Sequence, residues 1–358
     1  RPLALRSRSL FVALPAALLS LLTRTSLAQD YPIESLGGVE AVPAPSAAPL
    51  EEYSAGLASN GQTIVVGSPA ANGQRGKVEI LDRVGMAFQL VGTLEPTTLP
   101  ARAGFGTVVT MQGDTLVVGA PNPNFPSSSP GTVWVYQRSG GAFVLEQVLA
   151  PSTGLLGDQF GRAVALDGDR LVVGAPYDDD LGAQSGSAFV FERAGGVWSE
   201  TALLLPDDGA AGDQFGRSVA LDGDTALVGA WLSDAAAIDA GAAYVFVTED
   251  DVTWTQQAQL LDDDEPLASD HMGESVALVD DDALVGAPRD DKLAEDMGVV
   301  HHFKRAADAW ALSATFQESG VTPGGRFGCS MSATGTLLMV GAPASGINAK
   351  GRAILFER

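Results

Sequence analysis

Apolar residues in this chain come in short runs. Beyond residue 53 the runs are four to six residues long, rich in Val, Leu, Ala and aromatics, and bounded by Gly, Pro and Asp. That pattern predicts strands and tight turns, not long helices. Several runs, such as the "AFVF" of Ala188 to Phe191, are apolar at successive positions. Such strands must be covered on both faces.

The runs repeat. "GDQFGRAVALDGDRLVVGAP" (157–176) returns as "GDQFGRSVALDGDTALVGAW" (212–231). Its aromatic-glycine pair recurs as Tyr53-Ser54, Phe105-Gly106, Phe160-Gly161, Phe215-Gly216, Met272-Gly273 and Phe327-Gly328, at spacings of 52, 55, 55, 57 and 55. Each repeat holds a run after this pair, then a second such as "LVVGAP" (171–176). The third follows a glycine, as in "GSAFVF" (186–191), and the fourth opens on Phe88, Phe143, Trp198, Trp254 or Trp310. The expected fold is all-β, a β-propeller of six four-stranded blades over 53–358, because each sheet in a ring packs between two neighbours. A linear solenoid would need polar end caps, and none is visible.

Turn chemistry agrees. Asn60-Gly61, Asp167-Gly168 and Asp222-Gly223 lie between runs one and two, where glycine supplies the positive φ of a tight hairpin. In repeat five the glycine place falls to Asp281. Repeat six stops after its third run. Residues 29–52 are expected to supply the closing strand, because "VEAVPAPS" (39–46) resembles the fourth-strand "LEQVLAPS" (145–152). The alternative is a truncated seven-bladed propeller.

Residues 1–28 read as a signal peptide. Arg1, Arg6 and Arg8 precede the apolar "LFVALPAALLSLL" (10–22), and "SLA" (26–28) offers a cleavage site before Gln29. The one cysteine, Cys329, gives no disulfide framework and reads as a small core residue. The formal charge of -23 argues against nucleic acid and anionic lipid as partners. Its simplest consequence is solubility.

These phrases resemble the FG-GAP repeat family, in its bacterial secreted form. The resemblance implies a propeller similar to the head of integrin α chains, which bind protein ligands at the cell surface. Several blades of those heads carry a calcium loop, Asp-x-Asn-x-Asp-Gly-x-x-Asp, between strands one and two. This chain has only short turns there, such as "LDGDR" (166–170). A calcium ion takes six to eight oxygens, so those sites do not carry over.

The remaining cation candidates lie between strands two and three: Asp178, Asp179 and Asp180 in one loop, and Asp290, Asp291 and Asp296 in another. Calcium is the ion such oxygens would suit; solvated polar loops are the preferred reading, and no cofactor is expected. "LDDDEP" (261–266) reads as a solvated linker, and Asp158 and Asp213 as turn residues. His302 takes a core position, and His271 reads as a surface residue. No nucleophile elbow, Walker or dinucleotide motif occurs.

The expected function is a secreted or surface-displayed, monomeric, non-catalytic propeller. It would bind an extracellular protein or glycan through its loops in an adhesion-like manner, with Phe125 in "NPNFPSSSP" (122–130) as a contact residue. The alternatives are a propeller hydrolase with an axial active site and a structural module of a larger surface protein.

Overall fold

The computed structural model describes residues 56–121, 129–262, 267–292, 294–317, 322–335, 337–344 and 351–357. The expected signal peptide, the closing segment 29–52 and Phe125 lie outside the described residues. The fold is a six-bladed β-propeller. Blade one is β1 (Leu57–Ser59), β2 (Thr63–Ser68), β3 (Lys77–Val84) and β4 (Ala87–Leu94). Blade two is β5 (Val108–Gln112), β6 (Thr115–Ala120), β7 (Thr132–Ser139) and β8 (Ala142–Leu149). Blade three is β9 (Ala163–Asp167), β10 (Arg170–Ala175), β11 (Ser187–Ala194) and β12 (Val197–Leu204). Blade four is β13 (Phe215–Asp222), β14 (Thr225–Ala230), β15 (Ala242–Thr248) and β16 (Trp254–Leu260). Blade five is β17 (Ser275–Val279), β18 (Asp282–Ala287), β19 (Val299–Ala306) and β20 (Ala309–Phe316). Blade six shows β21 (Ser330–Thr334), β22 (Leu337–Ala342) and β23 (Arg352–Glu357). Each sheet is an antiparallel meander in chain order, and the first strands of successive blades pack on one another.

The apolar second strands explain the stacking. Successive residues point to opposite faces. Leu116 joins a core shared with blade one, while Val117 joins one shared with blade three. Leu171 and Val172 divide in the same way, as do Ala226 and Leu227. Each of these three strands therefore serves two interfaces.

The repeated glycines join one blade to the next. A Cβ on Gly67, Gly119, Gly174, Gly229 or Gly286 would stand 2.0–2.2 Å from the carbonyl oxygen of Gly106, Gly161, Gly216, Gly273 or Gly328 in the following blade. Only glycine permits that approach. The bulky residue beside these carbonyls is tied in as well. Gly131, Gly186 and Gly241 bridge to Phe160, Phe215 and Met272 of the next blade. The "GAP" of one repeat and the "FG" of the next are two halves of one joint.

The turn of blade five differs from the expectation. Asp280, with φ of 52°, takes the place that Gly168 and Gly223 hold, at 58° and 54°. The pairing Val279↔Asp282 matches Asp167↔Arg170, so Asp281 falls one residue later. Aspartate tolerates this conformation better than most residues.

Candidate functional site

The antiparallel meander sends the hairpin turns to one end of the ring and the two-to-three and four-to-one loops to the other. The hairpin end is laced from blade to blade. Gln112 Nε2 donates to Asp167 Oδ1 at 3.0 Å, Gly223 N to Asp167 Oδ2 at 2.8 Å, and Asp280 N to Asp222 Oδ2 at 2.5 Å. The loop end carries the chemically varied residues.

Most acids at the loop end hold backbone. Asp178 Oδ1 accepts the N–H of Asp180, and Asp290 Oδ1 that of Lys292, both at 2.9 Å. Asp179 Oδ1 accepts from Gln184 N at 2.7 Å, and Asp291 Oδ1 from Asp296 N at 2.6 Å. Asp296 also stands 3.9 Å from Arg326. Asp158, Asp213 and Asp270 each accept the amide three residues upstream, from Leu155, Ala210 and Leu267. These are turn-closing bonds repeated from blade to blade.

One group departs from this pattern. Among the described residues, one set of His and Asp side chains brings its ligand atoms within 4.8 Å of one another: Asp262, Asp290 and His301. Asp262 ends blade four, Asp290 lies in the loop after β18, and His301 lies on β19. All three are buried. Lys292 Nζ stands 2.7 Å from Asp262 Oδ2, and His301 Nε2 stands 3.9 Å from the same oxygen. Asp270 and Met272 line a small cavity together with Asp262 and His301. Burial pushes the Asp270 carboxyl up to about 7, with the Asp290 and Asp262 charges adding to the shift. Asp290 is raised as well, chiefly by burial.

Two expectations are corrected here. Asp262, the first acid of "LDDDEP", is buried and paired with Lys292, because it stands two residues beyond Leu260, the buried end of β16. His271 is also buried, packed edge-on to Trp231 with ring centroids 4.6 Å apart. Burial, together with the charges of Arg289, Arg326 and Arg217, lowers its pKa to about 4. His302 is half-buried, with Nε2 2.7 Å from Asp282 Oδ1 and its ring stacked on Phe316. Its neighbour His301 is the deeper of the two. Cys329 is partly buried, with Sγ 3.7 Å from the Gly341 carbonyl.

Trp231 marks a second group at the loop end. It stands where the other five second strands are followed by Pro69, Pro121, Pro176, Pro288 and Pro343. Arg217 lies over its ring at 4.9 Å, and Gln214 Oε1 accepts its indole N–H at 2.9 Å. The chain is acidic overall, yet Arg217, Arg289 and Arg326 act together on His271 here.

Residues 143–191, 198–246 and 254–303 match the family model of the FG-GAP repeat. Each match runs from the fourth strand of one blade to the third strand of the next, so it spans the glycine joint described above. No curated protein sequence matches the chain. No helix among the described residues is long and apolar enough to cross a membrane.

Proposed function

We propose that this FG-GAP repeat propeller is an exported, non-catalytic binding module that holds an extracellular protein or glycan at its loop end, in an adhesion-like role. The fold supports a protein-binding module in general. The observation that carries the narrower reading is the group around Trp231: one half-buried indole with Arg217 over its face, packed on His271, which feels the charges of Arg289 and Arg326. Aromatic and arginine side chains at one locus are the usual anchors of recognition. The arginines suit a ligand that presents carboxylate or sulfate groups. The opposite end is tied off by short turns bonded to one another, which leaves the loops as the variable surface. The basic leader read at residues 1–28 supports export, and FG-GAP repeats are typical of extracellular proteins.

Surface plasmon resonance against extracellular-matrix proteins and acidic glycans tests the reading. We expect saturable binding to at least one ligand, weakened tenfold or more by Trp231→Pro, the residue of the other five blades. Asp167→Ala, at the hairpin end, should leave it unchanged. The reading fails if nothing in the panel binds, if the hairpin-end change is the damaging one, or if a panel glycan is hydrolysed and Asp270→Asn abolishes turnover.

A further inference from the structure

We propose that Asp262, Asp290 and His301, between blades four and five, form a binding site for a divalent transition-metal ion of the zinc class. One carboxylate oxygen from each aspartate and one ring nitrogen of the histidine already lie within 4.8 Å of one another. Ligand atoms around one tetrahedral zinc ion stand roughly 3.4 Å apart. Small side-chain rotations close the set.

Burial and bonding point to a missing positive group. Asp262 is 6% exposed, Asp290 1% and His301 0%. Asp290 Oδ1 accepts the Lys292 amide, but Oδ2 has no hydrogen-bond partner among the described residues. A carboxylate oxygen buried without a donor is costly, and native structures seldom keep one without cause. Lys292 supplies one positive charge, 2.7 Å from Asp262, against the carboxyl groups of Asp262, Asp290 and Asp270. The Lys292 side chain is 17% exposed, so its ammonium can swing to solvent when an ion takes its place.

The donor set selects the ion. Imidazole nitrogen with carboxylate oxygens suits zinc and its neighbours, whereas calcium requires six to eight oxygens. Among the described residues the set is peculiar to this joint. The strand position of His301 holds Phe189 in blade three and Tyr244 in blade four, both fully buried core residues. The position of Asp262 holds Pro206 at the end of blade three. The site also lies at the loop end, away from the turns between first and second strands.

The untagged chain, stripped with chelator and dialysed, is titrated with Zn²⁺, Mn²⁺ and Ca²⁺ by calorimetry, with bound metal counted by mass spectrometry. We expect one Zn²⁺ per chain and binding weaker by tenfold or more in His301→Phe and in Asp290→Asn. The first variant borrows the residue of blade three and should keep the fold, checked by circular dichroism. Should it fail to fold, Asp290→Asn decides, since its amide oxygen still accepts the Lys292 N–H. The proposal is overturned if the wild-type chain takes up no stoichiometric Zn²⁺. It is overturned equally if the folded variants bind as well as wild type, or if Ca²⁺ binds more tightly than Zn²⁺.

Discussion

Arg170 of blade three stacks on Trp254 of blade four, its guanidinium carbon 5.3 Å from the indole centroid. Elsewhere the arginine comes from the same blade as the ring: Arg138 on Phe143, Arg193 on Trp198 and Arg305 on Trp310. Each of those arginines lies on a third strand opposite its aromatic partner and reaches back to a threonine that opens the second strand of the preceding blade. The threonines are Thr63, Thr115 and Thr225. At the joint of blades three and four the two residues have changed places. Thr248 faces Trp254, and Arg170 opens the second strand. The arginine then covers the tryptophan from the other side and pairs with Glu192, Asp224 and Asp251.

This exchange predicts a reciprocal rescue. Arg170→Thr should cost about 1–2 kcal/mol, the sum of a cation–π contact and weak, largely exposed ion pairs. Adding Thr248→Arg rebuilds the arrangement of the other blades and should recover most of the loss. Urea denaturation of the two single variants and the double variant measures the coupling. A double variant no more stable than Arg170→Thr would show that the stack contributes nothing.

The glycine joints predict two different penalties. Gly174 has no left-handed backbone, but its Cβ would stand 2.0 Å from the Gly216 carbonyl of the next blade. Gly174→Ala must push two blades apart and should cost more than about 3 kcal/mol. Gly168 has open space around it and a φ of 58°. Gly168→Ala meets only the backbone penalty, about 1 kcal/mol. Equal losses in thermal melts of the two variants would contradict the joint.

Such joints show what the sequence could and could not reveal. The strands were legible because each is a short apolar run in a repeat, and period-two alternation accounts for their double burial. The partner of each glycine was not legible, because Gly174 meets Gly216 across forty-two positions and a blade boundary. Asp262 was misread because it opens an acidic run, and a run of acids usually faces water. The usable signal was indirect: His301 stands at a core position, and a buried imidazole requires a polar neighbour. The glycine place of blade five falls on Asp280, not Asp281, and the sequence misses this by one residue because three successive aspartates give no anchor for the turn.

Burial holds the Asp158 carboxyl up at about 6, and the charges of Asp178, Asp179 and Asp180 add to the shift despite the opposing bond from the Leu155 amide. The folded chain therefore binds this proton more tightly than the unfolded chain. The resulting stabilisation is complete below the unfolded value, about pH 4, and is lost as pH rises through about 6. Asp158→Asn keeps an acceptor for the Leu155 amide and removes the titration. It should flatten the stability profile between pH 4 and 7 and raise the melting temperature at pH 7. Melting curves that run parallel for variant and wild type across that window would rule this out.

The aromatic of each "FG" pair anchors its own blade while its backbone holds the previous one. Phe160 is fully buried, edge-on to Phe189 and Phe191 at centroid distances of 5.4 and 5.9 Å, and its amide donates to the Pro130 carbonyl of blade two. Blade five performs the same task with Met272, also fully buried, so the position requires volume more than aromatic geometry. Phe160→Met should therefore cost less than about 1.5 kcal/mol, as a near-isosteric exchange in which flexible sulfur fills the gap. Phe160→Ala should cost about 3–5 kcal/mol, because a cavity opens at the joint of two blades. Guanidinium denaturation of both variants decides the matter. If methionine costs as much as alanine, the ring-edge contacts with Phe189 and Phe191 are the essential part, and Met272 must be compensated by its own neighbours.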